Sequence, residues 1–280
     1  MCSVTKQDTP LINADTLREQ IIKNNVREID VRLKDDYQHG HITNSVNLPL
    51  ANLLADATPE NIVKIAENLG IGDETPVAVY DDTFGALSSR VVWALQYIGH
   101  ENVKLLDVTF SQWKALGLEV TTEEPEIEKA NHSLNLKPGI MATAEYLEQV
   151  KDNENVVVID NRERLNFLEQ HIPGAINIPY RTLATDGRII RSKESMRNLL
   201  KNRGIPDDAE IITYCGSVGT LSGLAFYALK SLGLPNVKLY VHSFKEWKNL
   251  EKPTQKQENA SYWDLSAESP IYIHRIFIFL

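Results

Sequence analysis

The residue with the clearest chemical potential is Cys215, which lies between an apolar run and a glycine-bearing loop. Residues 211–214 predict a strand, residues 216–220 a small loop and residues 221–232 a helix. A thiol at such a turn faces loop N–H groups and a helix N-terminus, which favour the reactive thiolate. The alternative is a buried, inert cysteine. The small loop favours the reactive interpretation.

The composition of the chain is that of an ordinary globular protein. It has 280 residues, of which 42% are hydrophobic and 24% charged. This length suits two domains of about 140 residues each. The net charge of −9 argues against nucleic acid or an anionic membrane as the main partner. An anionic substrate must therefore be attracted by local dipoles and single arginines.

Cys2 and Cys215 are the two cysteines, too few for a disulfide framework. A free thiol is typical of a reducing cytosol, and residues 1–8 lack the apolar core of a signal peptide. No run reaches the ~18 apolar residues that span a membrane. We therefore expect a cytoplasmic protein. The apolar residues 271–280 are expected to form a docked strand or helix, with a partner-binding or membrane-touching tail as the alternative.

The chain contains the same pattern twice. Asp, Arg, His, Asn and Pro recur at a constant offset of 130 between residues 28–50 and residues 158–180. A second block, at an offset of 134, places Asp81 where Cys215 stands. A period of this length indicates duplicated domains rather than a solenoid, whose repeats are far shorter.

Short apolar runs alternate with amphipathic stretches in each half, which predicts an α/β fold with a mostly parallel sheet and helices on both faces. In the second half the predicted strands are residues 156–159, 211–214 and 237–240, and the predicted helices are residues 143–150, 193–203 and 221–232. Sites form at the carboxyl ends of parallel strands, where Asp160 and Cys215 both lie. The expected organisation is a first domain at 10–120, a linker at 121–138, a second domain at 139–253 and a tail at 254–280.

Two segments of the second half resemble the tandem-domain rhodaneses, a family of sulfurtransferases. Residues 167–178 match the first signature of the family throughout. Residues 239–247 resemble the second, with Val241 and His242 where the family usually has Asp and Gly. The resemblance extends over about residues 10–253 and implies two tandem rhodanese-like domains.

The resemblance implies a persulfide mechanism with Cys215 as the catalytic residue. The thiolate would take a sulfane sulfur from a small anionic donor and pass it to cyanide or a thiol, such as thioredoxin or a low-molecular-weight thiol. The first domain would be silent, because the carboxylate of Asp81 cannot carry a sulfane sulfur. No cofactor beyond the sulfur is implied, and no Cys/His cluster has metal-ligand spacing.

The loop after Cys215 has no Lys or Arg, which resembles the branch that uses 3-mercaptopyruvate rather than thiosulfate. The substrate-binding residues implied by the resemblance are Arg162, Gly216, Ser217, Val218, Gly219 and Thr220. Arg162 could instead form a structural ion pair with Asp160, because Arg32 matches it in the silent half. Val218 adds a residue to the loop, and Asn166 stands where this branch usually has a second arginine.

Two other functions are consistent with the altered loop. A wider loop would suit a rhodanese-related phosphatase, but that class has a phosphate-binding arginine where this chain has Leu221. Without that guanidinium, phosphatase chemistry loses its main electrostatic stabilisation. The other alternative is a non-catalytic scaffold or a persulfide-binding module.

Overall fold

The computed structural model describes residues 9–184 and 187–257. Cys2 and the apolar stretch 271–280 therefore lie outside the described residues. No helix in the described ranges is both long and apolar enough to cross a membrane. The described chain forms two compact units that divide after Pro138.

The first unit reaches to Pro138 and also takes in residues 187–189. Its strands are β1 (Leu11–Ile12), β2 (Arg27–Asp30), β3 (His41–Ile42), β4 (Val46–Asn47), β5 (Val77–Tyr80), β6 (Val103–Leu106) and β7 (Val120–Thr121). Its helices are α1 (Ala14–Ile22), α2 (Lys34–Gln38), α3 (Leu50–Ala55), α4 (Pro59–Asn68), α5 (Ala86–Tyr97) and α6 (Phe110–Ala115). The main sheet is parallel, in the order β1-β6-β5-β2-β4, and β3 pairs antiparallel with β7.

The second unit repeats this arrangement. Its strands are β8 (Val156–Asp160), β9 (Ile176–Asn177), β10 (Glu210–Tyr214) and β11 (Val237–Leu239), in the parallel order β11-β10-β8-β9. Its helices are α7 (Ala144–Val150), α8 (Arg164–Glu169), α9 (Lys193–Asn202), α10 (Thr220–Ser231) and α11 (Ser243–Asn249). Short 3₁₀ turns lie at Pro138–Ile140 and Tyr180–Thr182. Single bridges from Met141 to Leu239 and from His171 to Gln255 stand where the first unit has β1 and β7.

The predicted α/β fold with helices on both faces of each sheet is confirmed. On one face of β10, Ile212 and Tyr214 pack in a core cluster with side chains of α7, α8 and α11. On the other face, Thr213 donates its hydroxyl to the carbonyl of Ser222 in α10 at 3.0 Å. Because both faces of the strand are covered, four of its five residues are buried.

The ends of the helices differ from the prediction by about one residue, and caps explain the difference. Thr143 is the N-cap of α7, and its side chain accepts a hydrogen bond from the N–H of Tyr146. Gly219 is the N-cap of α10 with φ 76°, so this helix begins at Thr220.

Two expected boundaries shift because of backbone pairing. Thr121 belongs to β7, whereas residues 122–137 of the described chain form no helix or strand. In the second unit the expected tail begins at residue 254, but the N–H of Gln255 donates to the carbonyl of His171 and the N–H of Gln257 to that of Leu168. Residues 255 and 257 are therefore hydrogen-bonded to the second unit.

Glu28 is a buried carboxyl on a central strand. It is opposite Ala78 in the β2–β5 register, on the same face as Asp30, so it points at the apolar cluster that contains Ala78 and Tyr80. Neither of its carboxyl oxygens has a hydrogen-bond partner among the described residues. Burial raises the pKa of Glu28 to about 8. The matching residue of the second repeat, Val158, packs on the equivalent cluster.

Replacing this carboxyl by Val should stabilise the protein at neutral and alkaline pH. Because the folded pKa of Glu28 lies above its unfolded value, folding takes up a proton, and wild-type stability falls as pH rises from about 4.5 to about 8. We expect Glu28→Val to exceed the wild type by on the order of 3 kcal/mol at pH 7 and by little at pH 4.5. Urea unfolding of both proteins across this range measures the difference. The exposed Glu19→Gln is the control, and a Glu28→Val advantage that does not change with pH would contradict the account.

Candidate active site

Cys215 lies immediately after β10, with 2% of its surface exposed. Hydrogen bonds hold both the backbone N–H and the backbone carbonyl of Cys215. The N–H donates to Ser243 Oγ at 3.2 Å, and the carbonyl accepts from the N–H of Phe244 at 3.1 Å. The thiol therefore starts a turn whose position is fixed by α11.

The loop after Cys215 is exposed at its tip and closely packed at its end. Residues 216–218 are exposed, whereas Gly219 is buried. A Cβ on Gly219 would lie 3.0 Å from Val241 Cγ2, in addition to the strain of φ +76°. Only glycine fits here, and this fixes the point at which the loop enters α10.

The matching loop of the first unit binds a carboxylate. Asp81 stands at the position of Cys215, and its carboxylate accepts four backbone N–H bonds of 2.8–2.9 Å. The donors are Thr83, Gly85, Leu87 and Ser88. Two of these N–H groups belong to the loop and two to the first turn of α5. The N–H groups of a first helical turn have no hydrogen-bond partner within the helix. The turn is thus a cradle for an anion, and in the first unit a side chain of the protein fills it.

The turn that starts at Asp81 and the turn that starts at Cys215 have the same number of residues, and each ends in a glycine. Gly85 and Gly219 both have positive φ, and each begins the long helix that follows. The carbonyl of Asp81 accepts from the N–H of Phe110 at 2.9 Å, as that of Cys215 accepts from Phe244. The loops differ at Phe84, which has φ 48°, whereas Val218 is not among the described residues with positive φ.

By this correspondence, we expect the N–H groups of Ser217, Gly219, Leu221 and Ser222 to form a second cradle. The offset of 134 maps them onto the four donors to Asp81. The sequence analysis pointed to residues 216–220 and did not include Leu221 and Ser222, the two positions in the first turn of α10. The repeat offset identifies these two residues only once the hydrogen-bond donors to Asp81 are known.

Arg162 follows β8, the strand that pairs with β10. Its Nε and Nη2 donate to both oxygens of Asp160 at 2.6–3.1 Å, and Nη2 also donates to the carbonyl of Gln170. The guanidinium carbon lies 4.1 Å from the centre of the Phe244 ring. Burial acts to lower the pKa of Arg162, but the Asp160 carboxylate raises it, and the net shift is upward.

The same arrangement surrounds Arg32 in the silent unit. Its Nε and Nη2 donate to Asp30 at 2.6–3.1 Å, and Nη2 also donates to the carbonyl of Gly40 at 2.7 Å. The guanidinium carbon lies 3.6 Å from the centre of the Phe110 ring. A contact made equally in the unit without the thiol favours the structural ion pair for Arg162. The bonds from Arg162 to Asp160 and Gln170 use Nε and Nη2 and do not involve Nη1.

The structure thus brings together Cys215 and the five loop residues that the sequence pointed to, in one turn. It also adds Ser243, whose hydroxyl lies 3.7 Å from the sulfur of Cys215. The sequence pattern did not point to Ser243, since it lies 28 residues away from Cys215.

Both repeats match one family of known proteins. A family model described as the rhodanese-like domain matches residues 13–116 and 143–250. The chain belongs to the rhodanese family. Each match covers one of the two repeats, so the family resemblance inferred from the sequence is confirmed.

Curated relatives of this rhodanese-family chain are sulfurtransferases and a sulfur carrier. The sulfur carrier protein TtuD of Thermus thermophilus is 27% identical over 86% of the chain and 94% of that protein. The 3-mercaptopyruvate sulfurtransferase of Escherichia coli is 25% identical over 85% of the chain and 95% of that protein. The thiosulfate sulfurtransferase of Pseudomonas aeruginosa is 31% identical over 65% of the chain and 69% of that protein.

A crystal structure of SseA, a 3-mercaptopyruvate sulfurtransferase from Escherichia coli, superposes with a TM-score of 0.76. It shares 25% identity with the chain and covers 85% of the chain and 99% of the SseA chain. The rhodanese-family protein is therefore a sulfurtransferase of tandem-repeat architecture.

Paired variants at Arg162 and Arg32 should separate the structural role from donor binding. Lysine keeps the charge but loses the bidentate contact, so we expect Arg162→Lys and Arg32→Lys to lose similar free energies of unfolding, on the order of 2 kcal/mol. The KM for the sulfur donor should stay within about twofold of the wild type in both. Urea unfolding and steady-state kinetics give the two quantities. A rise in KM of about tenfold confined to Arg162→Lys would instead assign the donor-binding role.

Proposed function

We propose that the second repeat moves a sulfane sulfur from a small anionic donor to a thiol acceptor through a persulfide on Cys215. The observation that supports this most directly is the pair of matched turns. Where the first repeat holds the carboxylate of Asp81 on four N–H groups, the second holds a thiol. A cradle for a negative charge favours the thiolate and then the persulfide anion.

In the first half-reaction the Cys215 thiolate attacks the sulfur of 3-mercaptopyruvate. A sulfur–sulfur bond forms and the carbon–sulfur bond breaks, and its electron pair leaves with the enolate of pyruvate, which takes up a proton. The persulfide anion remains in the cradle. The hydroxyls of Ser217 and Thr220 are further donors within the same turn.

In the second half-reaction a thiolate acceptor attacks the outer sulfur of the persulfide. A new sulfur–sulfur bond forms on the acceptor, and the Cys215 thiolate leaves with the electron pair of the broken bond. Thioredoxin or a low-molecular-weight thiol would serve as acceptor. A free thiol and a thiol acceptor both require a reducing compartment, which supports the cytosol.

The composition of the loop supports 3-mercaptopyruvate over thiosulfate as the donor. Thiosulfate is a dianion, but residues 216–220 include no Lys or Arg. Neutral N–H groups and hydroxyls suit a donor with a single carboxylate better than one with two charges. The relatives named above include sulfurtransferases named for each donor, so kinetics must decide between them.

Intact-mass spectrometry after exposure to a donor tests the proposal. We expect a gain of about 32 Da, one sulfur atom, that cyanide or a thiol removes, with the modified peptide containing Cys215. 3-Mercaptopyruvate should load the enzyme faster than thiosulfate at equal concentration. Cys215→Ser should fold normally but neither gain the mass nor turn over. An unmodified wild type with both donors would leave the scaffold alternative, and faster loading by thiosulfate would refute the donor assignment.

A further inference from the structure

Ser243 has a backbone conformation that its residue type disfavours. Its φ is +57°, in the left-handed region, and it is fully buried. The other described non-glycine residues with positive φ are exposed or half-buried: Asn24, Asn44, Phe84 and Glu251. Strain held in a buried position next to a reactive thiol calls for a functional explanation.

The fold itself does not require this conformation. The matching residue of the first repeat, Thr109, has φ −76° and ψ 165° and caps α6, with its side chain accepting from the N–H of Gln112. In the second repeat α11 begins at Ser243 itself, and its N-cap residue, His242, makes no side-chain cap. The hydroxyl of Ser243 is thus turned away from the helix and toward Cys215.

Four groups surround the hydroxyl of Ser243. It accepts from the N–H of Cys215 at 3.2 Å, and it lies 3.0 Å from the carbonyl of Tyr240, 3.5 Å from that of Val241 and 3.7 Å from the sulfur. A hydroxyl has one proton, so it donates either to these carbonyls, of which Tyr240 is the nearer, or to the sulfur. The carbonyl of Tyr240 also accepts from the backbone N–H of Ser243 at 3.1 Å. It therefore keeps a partner when the hydroxyl turns.

We propose that Ser243 is a positioning residue for Cys215, whose hydroxyl turns from Tyr240 to the sulfur when the thiolate forms. This inference rests on the proposed function of Cys215. The thiolate would then accept a hydrogen bond from the Ser243 hydroxyl in addition to those from the backbone N–H groups of the loop. The left-handed backbone of Ser243 is what places Oγ between the N–H and the sulfur of the same cysteine.

The test is the rate of Cys215 alkylation by iodoacetamide as a function of pH, in a Cys2→Ser background that leaves one thiol. In Ser243→Gly we expect the rate at pH 7 to fall about 3- to 10-fold and the pH midpoint to rise by about half a unit to one unit. The urea midpoint should change little, because the relief of left-handed strain in glycine offsets the lost hydrogen bond to the N–H of Cys215. Ser243→Ala should show the same change in alkylation, which covers the case in which the glycine variant folds poorly.

Thr109→Ala is the matched control. It removes a hydroxyl at the same position of the first repeat, so it should lower the urea midpoint and leave the alkylation profile unchanged. Wild-type alkylation rates and midpoints in folded Ser243→Gly or Ser243→Ala would overturn the proposal. Alkylation needs no sulfur donor, so a failure of persulfide loading in the wild type would count against the proposed function and not against this role of Ser243.

Discussion

A negative charge held on backbone N–H groups is the interaction that organises the turn of the first repeat and, as we propose, the site of the second. In each repeat a central strand ends and a long helix begins within five residues, and the N–H groups of that turn lack partners inside the helix. The first repeat satisfies them with Asp81, through four bonds. The second leaves this place to a thiol, for which such donors favour the charged form. At this position of the turn the first repeat thus has a structural carboxylate, Asp81, and the second has a candidate sulfur carrier, Cys215.

The rest of each repeat holds this turn in place. Tyr80 and Tyr214 donate their hydroxyls to Asp30 and Asp160 at 2.9 and 2.7 Å, and these carboxylates also bind the arginine two residues on. The phenol precedes the cradle residue directly in both repeats. Because this frame is the same with and without the thiol, we assign it to positioning, and chemistry to the loop alone.

The two repeats and the position of the cysteine could be predicted from the sequence, because the two halves of the chain can be compared with each other. The offsets of 130 and 134 predicted two α/β repeats and placed Asp81 opposite Cys215. The sequence offered Asp160 as a partner of Arg162 but could not choose between the two roles, since an arginine after a strand has the same spacing whether it binds substrate or a neighbouring carboxylate. The left-handed backbone of Ser243 was equally hidden, because it depends on packing against a loop distant in sequence.

The most direct test of the account moves the carboxylate from one cradle to the other. If residues 217–222 form the same anion cradle as residues 83–88, Cys215→Asp should be more stable than Cys215→Ser at pH 7, by about 1–3 kcal/mol. It should lose this advantage as acid protonates the new carboxyl. Urea unfolding of the two variants at pH 7 and at low pH measures both effects. A Cys215→Asp protein less stable than Cys215→Ser at pH 7 would mean that the carboxylate is buried without donors, and that the second turn is no cradle.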